Sequence, residues 1–333
     1  MTEARAWRDR LAGIPNLRIT EGEPLARHTR FGIGGVATLF CDAPDQDSCV
    51  AVLKTLRQAQ LPHVVIGGGT NLVVADAGFD GVVLRFSGAS QQREGVLLRA
   101  EGGAVLQDVV DRSIALGLSG MQTMTGIPGY LGGAVYGNAG AYGQSIQERV
   151  ETVLATDGER VVAFSNADCH FQYRESWFKS HKQWLILRTD LRFAEGDAGE
   201  LRRKADEIRR IRDQKYPPAM KCAGSIFKNL FFTRLPANAQ AEVPAKLVRE
   251  GKVPSAWFLE RAGVMGMRRG NIQVATYHAN LIYNDGAGTA EDLVAVIKEC
   301  KARVAERFGF ELEEEVQYVG FGSDSYHLNL LDS

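Results

Sequence analysis

Residues Gly126–Gly143 read GIPGYLGGAVYGNAGAYG, with seven glycines in eighteen positions. Glycine has no Cβ, so backbone turns sharply there or lies directly against a ligand. Few charges or long side chains interrupt the run. Such a stretch suits a place where main-chain N–H groups meet something large and polar, a phosphate or a cofactor ring. A tight loop packed through small residues has the same composition, so the flanking sequence decides.

The chain has 333 residues, which at about 150 per domain suggests two or three domains. Thirty-nine Lys and Arg balance forty Asp and Glu. That near-neutral total gives no attraction to nucleic acid or to an anionic membrane. The five cysteines are scattered and none forms a C-x-x-C pair, which argues against zinc and against a disulfide framework. No metal site is expected. The start, MTEARAWRDRLAGIPN, lacks an apolar signal-peptide core, and no run reaches transmembrane length. The expectation is a reduced, cytosolic protein.

Residues 1–24 read as a helical lead-in. In HTRFGIGGVATLF, Gly32-x-Gly34-x-x-Ala37 matches a dinucleotide fingerprint in letters only. It follows charged residues and runs into a strand at Ala37–Phe40, whereas the fingerprint follows a strand and opens a helix. Asp42–Gln60 reads as a helix capped by Asp42 or Ala43, with Pro44 in its first turn. Strands are expected at Val64–Ile66 and Leu72–Val74, with the turn Gly67–Gly69 between them. Consecutive N–H groups in that turn, with Thr70 and Asn71 beside it, suit a pyrophosphate. Further strands are expected at Gly81–Phe86, Gly95–Glu101, Val150–Thr156, Arg160–Phe164 and Trp184–Phe193, with a helix at Ala104–Leu116. This first region is α+β.

A charged helix over Ala198–Gln214 is expected to link to a second region, broken by Tyr216-Pro217-Pro218. There, helices are expected at Ser255–Ala262 and Thr289–Phe308. Strands are expected at Asn271–Thr276, Ala279–Tyr283 and Glu311–Tyr318.

Four places gather polar groups. In Tyr173-Arg174-Glu175-Ser176, the arginine either holds a carboxylate through its planar fork or forms a structural ion pair. Ser225, in GSIFKN, presents a hydroxyl on a tight turn or is an ordinary turn serine; G-x-S-x-G is absent. In Glu313-Glu314-Glu315, a period of two sets Glu314 opposite the other two. His278, in Tyr277-His278-Ala279-Asn280, is a ligand contact or a satisfied polar residue.

In order, HTRFGIGG, VIGGGTNLVVAD, GIPGYLGGAVYGNAGAYG, YRESWFK, GSIFKN, HANLIYN and LEEEVQYVG resemble segments of the UDP-N-acetylenolpyruvoylglucosamine reductases, from about His28 to Gly320. The resemblance implies an α+β fold. A vanillyl-alcohol-oxidase (PCMH)-type FAD-binding domain of two subdomains would precede a C-terminal α+β substrate-binding domain. The expected bounds are a lead-in at 1–24, the FAD-binding domain at 25–195 (subdomains 25–88 and 89–195), a linking helix at 196–214 and the substrate domain at 215–322.

The resemblance also implies FAD as bound cofactor and NADPH as co-substrate. The reaction would reduce UDP-N-acetylglucosamine enolpyruvate to UDP-N-acetylmuramate, for peptidoglycan. It places the FAD pyrophosphate on Gly67, Gly68, Gly69, Thr70 and Asn71. The flavin would lie along Gly126, Ile127, Pro128, Gly133, Ala134, Asn138, Ala139, Gly140 and Ala141. Catalysis falls to Arg174 and Glu315, which stabilise the enolate, and to Ser225, which gives the proton. Lys215, Asn229, Tyr173 and His278 would contact substrate. Water, or a nearby cation such as Lys228 or Lys215, is a candidate for replenishing the serine proton.

The short span between Ser176 and Gly224 matches the subgroup without an extra tyrosine-bearing loop. Leu230 departs from the proline common after KN in the family. A monomer is expected. Two alternatives stay open: another flavin oxidoreductase, such as a sugar or hydroxy-acid oxidase on the same fold, and a non-catalytic flavin-binding regulator.

Overall fold

The structure is a computed structural model that describes residues 3–322. The chain folds as two compact units that are discontinuous in sequence. Among the described residues, the first comprises 3–23, 37–69 and 80–217; the second comprises 24–36, 70–79 and 218–322. Segments 24–36 and 70–79, expected inside the FAD-binding domain, therefore pack with the C-terminal part.

Among the described residues, the first unit holds two larger sheets beside two two-stranded pairs. One has the order Arg18–Pro24, Val36–Ala43, Phe79–Phe86, His63–Ile66. The strand Arg18–Pro24 corrects the helical lead-in, since the helix covers only Glu3–Leu11. The helix Gln46–Gln58 lies on this sheet and buries Cys49, Val52, Leu53 and Leu56 beside Leu39, Cys41, Val82 and Leu84. Its cap is Asp45, whose carboxylate accepts the Ser48 N–H at 2.8 Å. Asp42 and Ala43 are not caps because both belong to the preceding strand.

The second sheet is antiparallel, ordered Val161–Ser165, Val150–Thr156, Leu185–Arg192, Leu97–Glu101, Gln91–Glu94. Its core takes in the helices Leu106–Ala115 and Leu131–Tyr136. The helix Ala198–Lys215 is more than a link, because Leu201 and Ala205 are part of that core.

In the second unit an antiparallel sheet runs Lys221–Ser225, Leu281–Asn284, Ile272–Val274, Arg268–Arg269. The helices Ser255–Arg261 and Ala290–Phe308 pack on it. The long helix turns Leu293, Val296, Ile297, Cys300, Val304 and Phe308 inward, as its 3.6-residue period requires. Asp76 caps it by accepting the N–H groups of Ala290 at 2.9 Å and Glu291 at 3.0 Å. The segment 231–254 holds the short helix Ala237–Glu242 and the strand Lys252–Val253, paired with Leu230–Phe231. The last strand is only Gln317–Val319, parallel to Leu72–Val74. The expected Glu311–Tyr318 strand is shorter because Glu314 makes a single bridge, to Phe227, rather than a ladder.

Candidate functional site

In the first unit the two glycine-rich runs meet. A Cβ on Gly68 would stand 3.2 Å from the Gly129 Cα and 3.4 Å from the Tyr130 ring, so glycine permits that approach. The run itself is not all loop. Leu131–Tyr136 is a short helix, because Leu131, Ala134 and Val135 recur at helical spacing and are buried. Hydrogen bonds from Leu131 N–H to the Ala104 carbonyl and from Gly132 N–H to the Gly102 carbonyl, both 2.8 Å, seat it on the 102–104 turn. Gly126 donates its N–H to Gln107 Oε1 at 2.7 Å. Gln107 escaped the sequence reading, because a glutamine on an amphipathic helix carries no local signal.

Does this surface fit a flavin dinucleotide? At Gly133 a Cβ would meet nothing within 4 Å, and φ is not in the left-handed region. Neither packing nor strain within the chain calls for glycine there, which fits a flat group lying close. Among the described residues, the N–H groups of Gly68 and Gly69 have no acceptor in the chain, as an anion cradle would need. Gly67 and Pro128 are partly or fully exposed, and Ile127 packs on the core beneath. The residues fit the group.

Three bonds staple the Gln172–Ser176 segment to the glycine run. Asn138 Nδ2 donates to the Gln172 carbonyl at 2.7 Å, Arg174 Nη2 to the Gly140 carbonyl at 3.0 Å, and Ser176 Oγ to the Tyr136 carbonyl at 2.7 Å. Ala139 accepts the Ile146 N–H, and Gly140–Ala141 pairs with Gln144–Ser145. Gln172 and Glu175 exchange backbone bonds, closing a tight turn with Tyr173 and Arg174 at its tip. Arg174 has φ +59°. A left-handed non-glycine residue costs about 1–2 kcal/mol and persists where its surroundings over-determine it. Lys179 Nζ bonds the Arg174 carbonyl at 2.8 Å, and the Arg174 guanidinium lies 5.2 Å from the Tyr173 ring centroid. Behind the turn, Trp177, Phe178 and Trp184 cluster around Phe164. Burial, with the charge of Glu175 added, pushes the Tyr136 phenol up to about 12, so it stays protonated at neutral pH. Lys215, at the end of its helix, holds its ammonium 5.1 Å from the Tyr216 ring centroid.

In the second unit, Ser225 and Glu315 lie on adjoining segments. The Glu315 N–H donates to the Ile226 carbonyl at 2.7 Å, and the Lys228 N–H to the Glu313 carbonyl at 2.9 Å. Asn71 Nδ2 donates to the Glu315 carbonyl at 2.8 Å, while the Asn71 carbonyl accepts from Gln317 N–H at 2.9 Å. Asn71 thus commits one of its two amide donors to Glu315, an engagement its expected pyrophosphate role did not anticipate. Of the neighbouring acids, Glu313 bonds the Lys228 ammonium, and Glu314 accepts from Lys301 Nζ at 3.1 Å and from the Tyr318 hydroxyl. Lys228, a candidate for reprotonating Ser225, is buried and engaged with Glu313. Asn229 is half-buried, and His278 sits in the turn before Leu281–Asn284, its carbonyl accepting the Leu281 N–H at 3.0 Å. Thr70 and Asn71 belong to the second unit's 70–79 segment, and Gly67, Gly68 and Gly69 to the first unit. Arg174 belongs to the first unit and Ser225 and Glu315 to the second.

Residues 38–163 match a family described as an FAD binding domain. Residues 216–319 match the UDP-N-acetylenolpyruvoylglucosamine reductase C-terminal domain. These matches accord with the expected order, a vanillyl-alcohol-oxidase-type FAD-binding domain before a C-terminal α+β domain. A UDP-N-acetylenolpyruvoylglucosamine reductase of Solibacter usitatus is 55% identical, covering 93% of this chain and all of that protein. One of Chloroflexus aurantiacus is 35% identical, covering 89% of this chain and 96% of that one. The crystal structure of UDP-N-acetylenolpyruvylglucosamine reductase from Thermus caldophilus superposes with a TM-score of 0.72 at 26% identity, covering 91% of this chain and 99% of that one. On this evidence the chain belongs to the UDP-N-acetylenolpyruvoylglucosamine reductase family.

Proposed function

We propose that this protein reduces UDP-N-acetylglucosamine enolpyruvate to UDP-N-acetylmuramate, using NADPH and bound FAD, in the synthesis of peptidoglycan. Full-length kinship to reductases of that name supports the reaction. The observation that best supports the residue roles is the Glu315 N–H to Ile226 carbonyl bond, which keeps an acid and the Ser225 hydroxyl on neighbouring backbone. FAD, when bound, supplies a carrier that takes hydride from NADPH and passes it to the terminal methylene carbon of the enolpyruvyl group.

The chain's own residues do the rest. Gly67–Asn71 and the Gly126–Ala141 run hold the cofactor. Arg174 stabilises the negative charge that moves into the substrate carboxylate, by preorganised electrostatics. Glu315 polarises that carboxylate, and the Ser225 hydroxyl gives its proton to the adjacent carbon. Lys215, Asn229, Tyr173 and His278 contact the sugar nucleotide. No helix among the described residues is long and apolar enough to cross a membrane. We place the enzyme in the cytoplasm, as a monomer.

The test follows the flavin spectrum and NADPH loss with and without the enolpyruvyl sugar. Substrate-dependent oxidation of NADPH is expected; its absence overturns the reading, and fast reoxidation by oxygen alone would identify an oxidase. Ser225→Ala should leave flavin reduction intact and slow reoxidation by the sugar about 100- to 10 000-fold. An equal fall in both half-reactions refutes the proton-donor role.

A further inference from the structure

Asn280 is 2% exposed and lies between buried Ala279 and Leu281, at the entry to the Leu281–Asn284 strand. Its Oδ1 accepts the N–H of Ile226 at 3.1 Å and of Phe227 at 2.9 Å. Its Nδ2 donates to the Phe227 carbonyl at 2.9 Å and to Ser255 Oγ at 2.7 Å. A side-chain amide has two donors and two acceptor lone pairs, and all are used. The arrangement fixes the amide's orientation, since a flip would set an NH2 group against two N–H groups. The Asn280 backbone carbonyl also accepts the Ile226 N–H, at 3.1 Å.

This amide stands where the strand ladder fails. Pairing of Lys221–Ser225 with Leu281–Asn284 is irregular between Cys222 and Ser225, and Gly224 has φ +77°. The strand ends at Ser225, so the next two peptides lack a regular ladder. Asn280 supplies the missing bonds. The Ile226 carbonyl receives Glu315 N–H, so the peptides that Asn280 grips join Ser225 to Glu315. Aspartate would lack the donors for Phe227 and Ser255, and glutamine is one methylene longer.

We propose that Asn280 is a positioning residue that holds the Ser225 hydroxyl and Glu315 in fixed register; the inference rests on the roles proposed for those two residues. The test uses the flavin-loaded full chain, NADPH and UDP-N-acetylglucosamine enolpyruvate, with the two half-reactions measured separately in H2O and D2O. For Asn280→Ala, flavin reduction by NADPH should stay near the parent rate. Reoxidation by the sugar should fall about 100-fold, the usual cost of an ångström-scale misplacement. Its solvent isotope effect should rise as proton delivery becomes slow.

A purely structural asparagine would lower Tm and both half-reactions together and leave the isotope effect unmoved, which overturns the proposal. If Asn280→Ala does not fold, Ser255→Ala decides. It removes one of the four amide bonds and should slow reoxidation about ten-fold, a hydrogen bond's share; an unchanged rate overturns the inference. A parent protein that the sugar does not reoxidise overturns the proposed function, and this inference with it. A reactive parent with an unaffected Asn280→Ala overturns this inference alone.

Discussion

The Arg174 guanidinium donates to the carbonyl of Gly140 at 3.0 Å, tying a strained turn to the glycine run. One edge of a planar, five-donor group is thereby fixed, which orients the rest of the fork. Lysine keeps the charge but not the plane. Arg174→Lys should lower the rate of reoxidation by substrate about 100- to 1000-fold, the usual loss on removing a preorganised donor. Stopped-flow absorbance at the flavin band checks this, and a rate within a few-fold of the parent would remove Arg174 from the charge-stabilising role.

Asn138 is 3% exposed and bonds both Gln147 Oε1 and the Gln172 carbonyl. Asn138→Ala leaves those acceptors without this donor and should cost about 1–3 kcal/mol. Thermal unfolding should show the loss, and flavin should dissociate more readily, because the staple beside the run is gone.

Lys301 and Glu314 form a pair whose side chains are 12% and 9% exposed. Breaking such a pair on one side strands a buried charge. Lys301→Met should destabilise by about 3–5 kcal/mol, while Lys301→Met with Glu314→Gln should be much closer to the parent. Urea unfolding of the three proteins tests this; equal loss in the single and double variants would contradict it.

Asp42 gives a pH signature. Burial alone would raise its pKa, but hydrogen bonds from Arg85 and Ser87 and the charges of Arg85 and Arg18 outweigh it, and the net shift is downward. A folded-state pKa below the unfolded value means stability that is present above the ordinary aspartate value of about 3.9 and lost as pH falls through the folded pKa. Asp42→Asn should therefore be less stable than the parent at pH ~7, with the gap narrowing as pH falls below about 4. Paired melting curves at neutral and acid pH show it, and a constant gap would disprove the linkage.

How legible was this in the chain? Long helices were, because periodicity is local: Ala290–Phe308 lies within a residue of expectation. The strand Arg18–Pro24 was not, because its residues are mostly exposed and show no two-residue alternation. The helix Leu131–Tyr136 was masked by its glycines. At the site, motifs such as YRES and GSIFKN marked the segments. The bonds that join them, Arg174 to Gly140 and Asn280 to Ile226 and Phe227, link distant positions that no local pattern encodes.

The bond between Asn71 and Glu315 spans 244 positions. During synthesis at about 5–20 residues per second, the 70–79 segment would wait roughly 10–50 s for its partner strand. The second unit therefore cannot close while its chain is being made. Leu72–Val74, apolar, lacks its partner strand Gln317–Val319 for that whole interval, so a chaperone that shields this segment should raise the yield of folded enzyme.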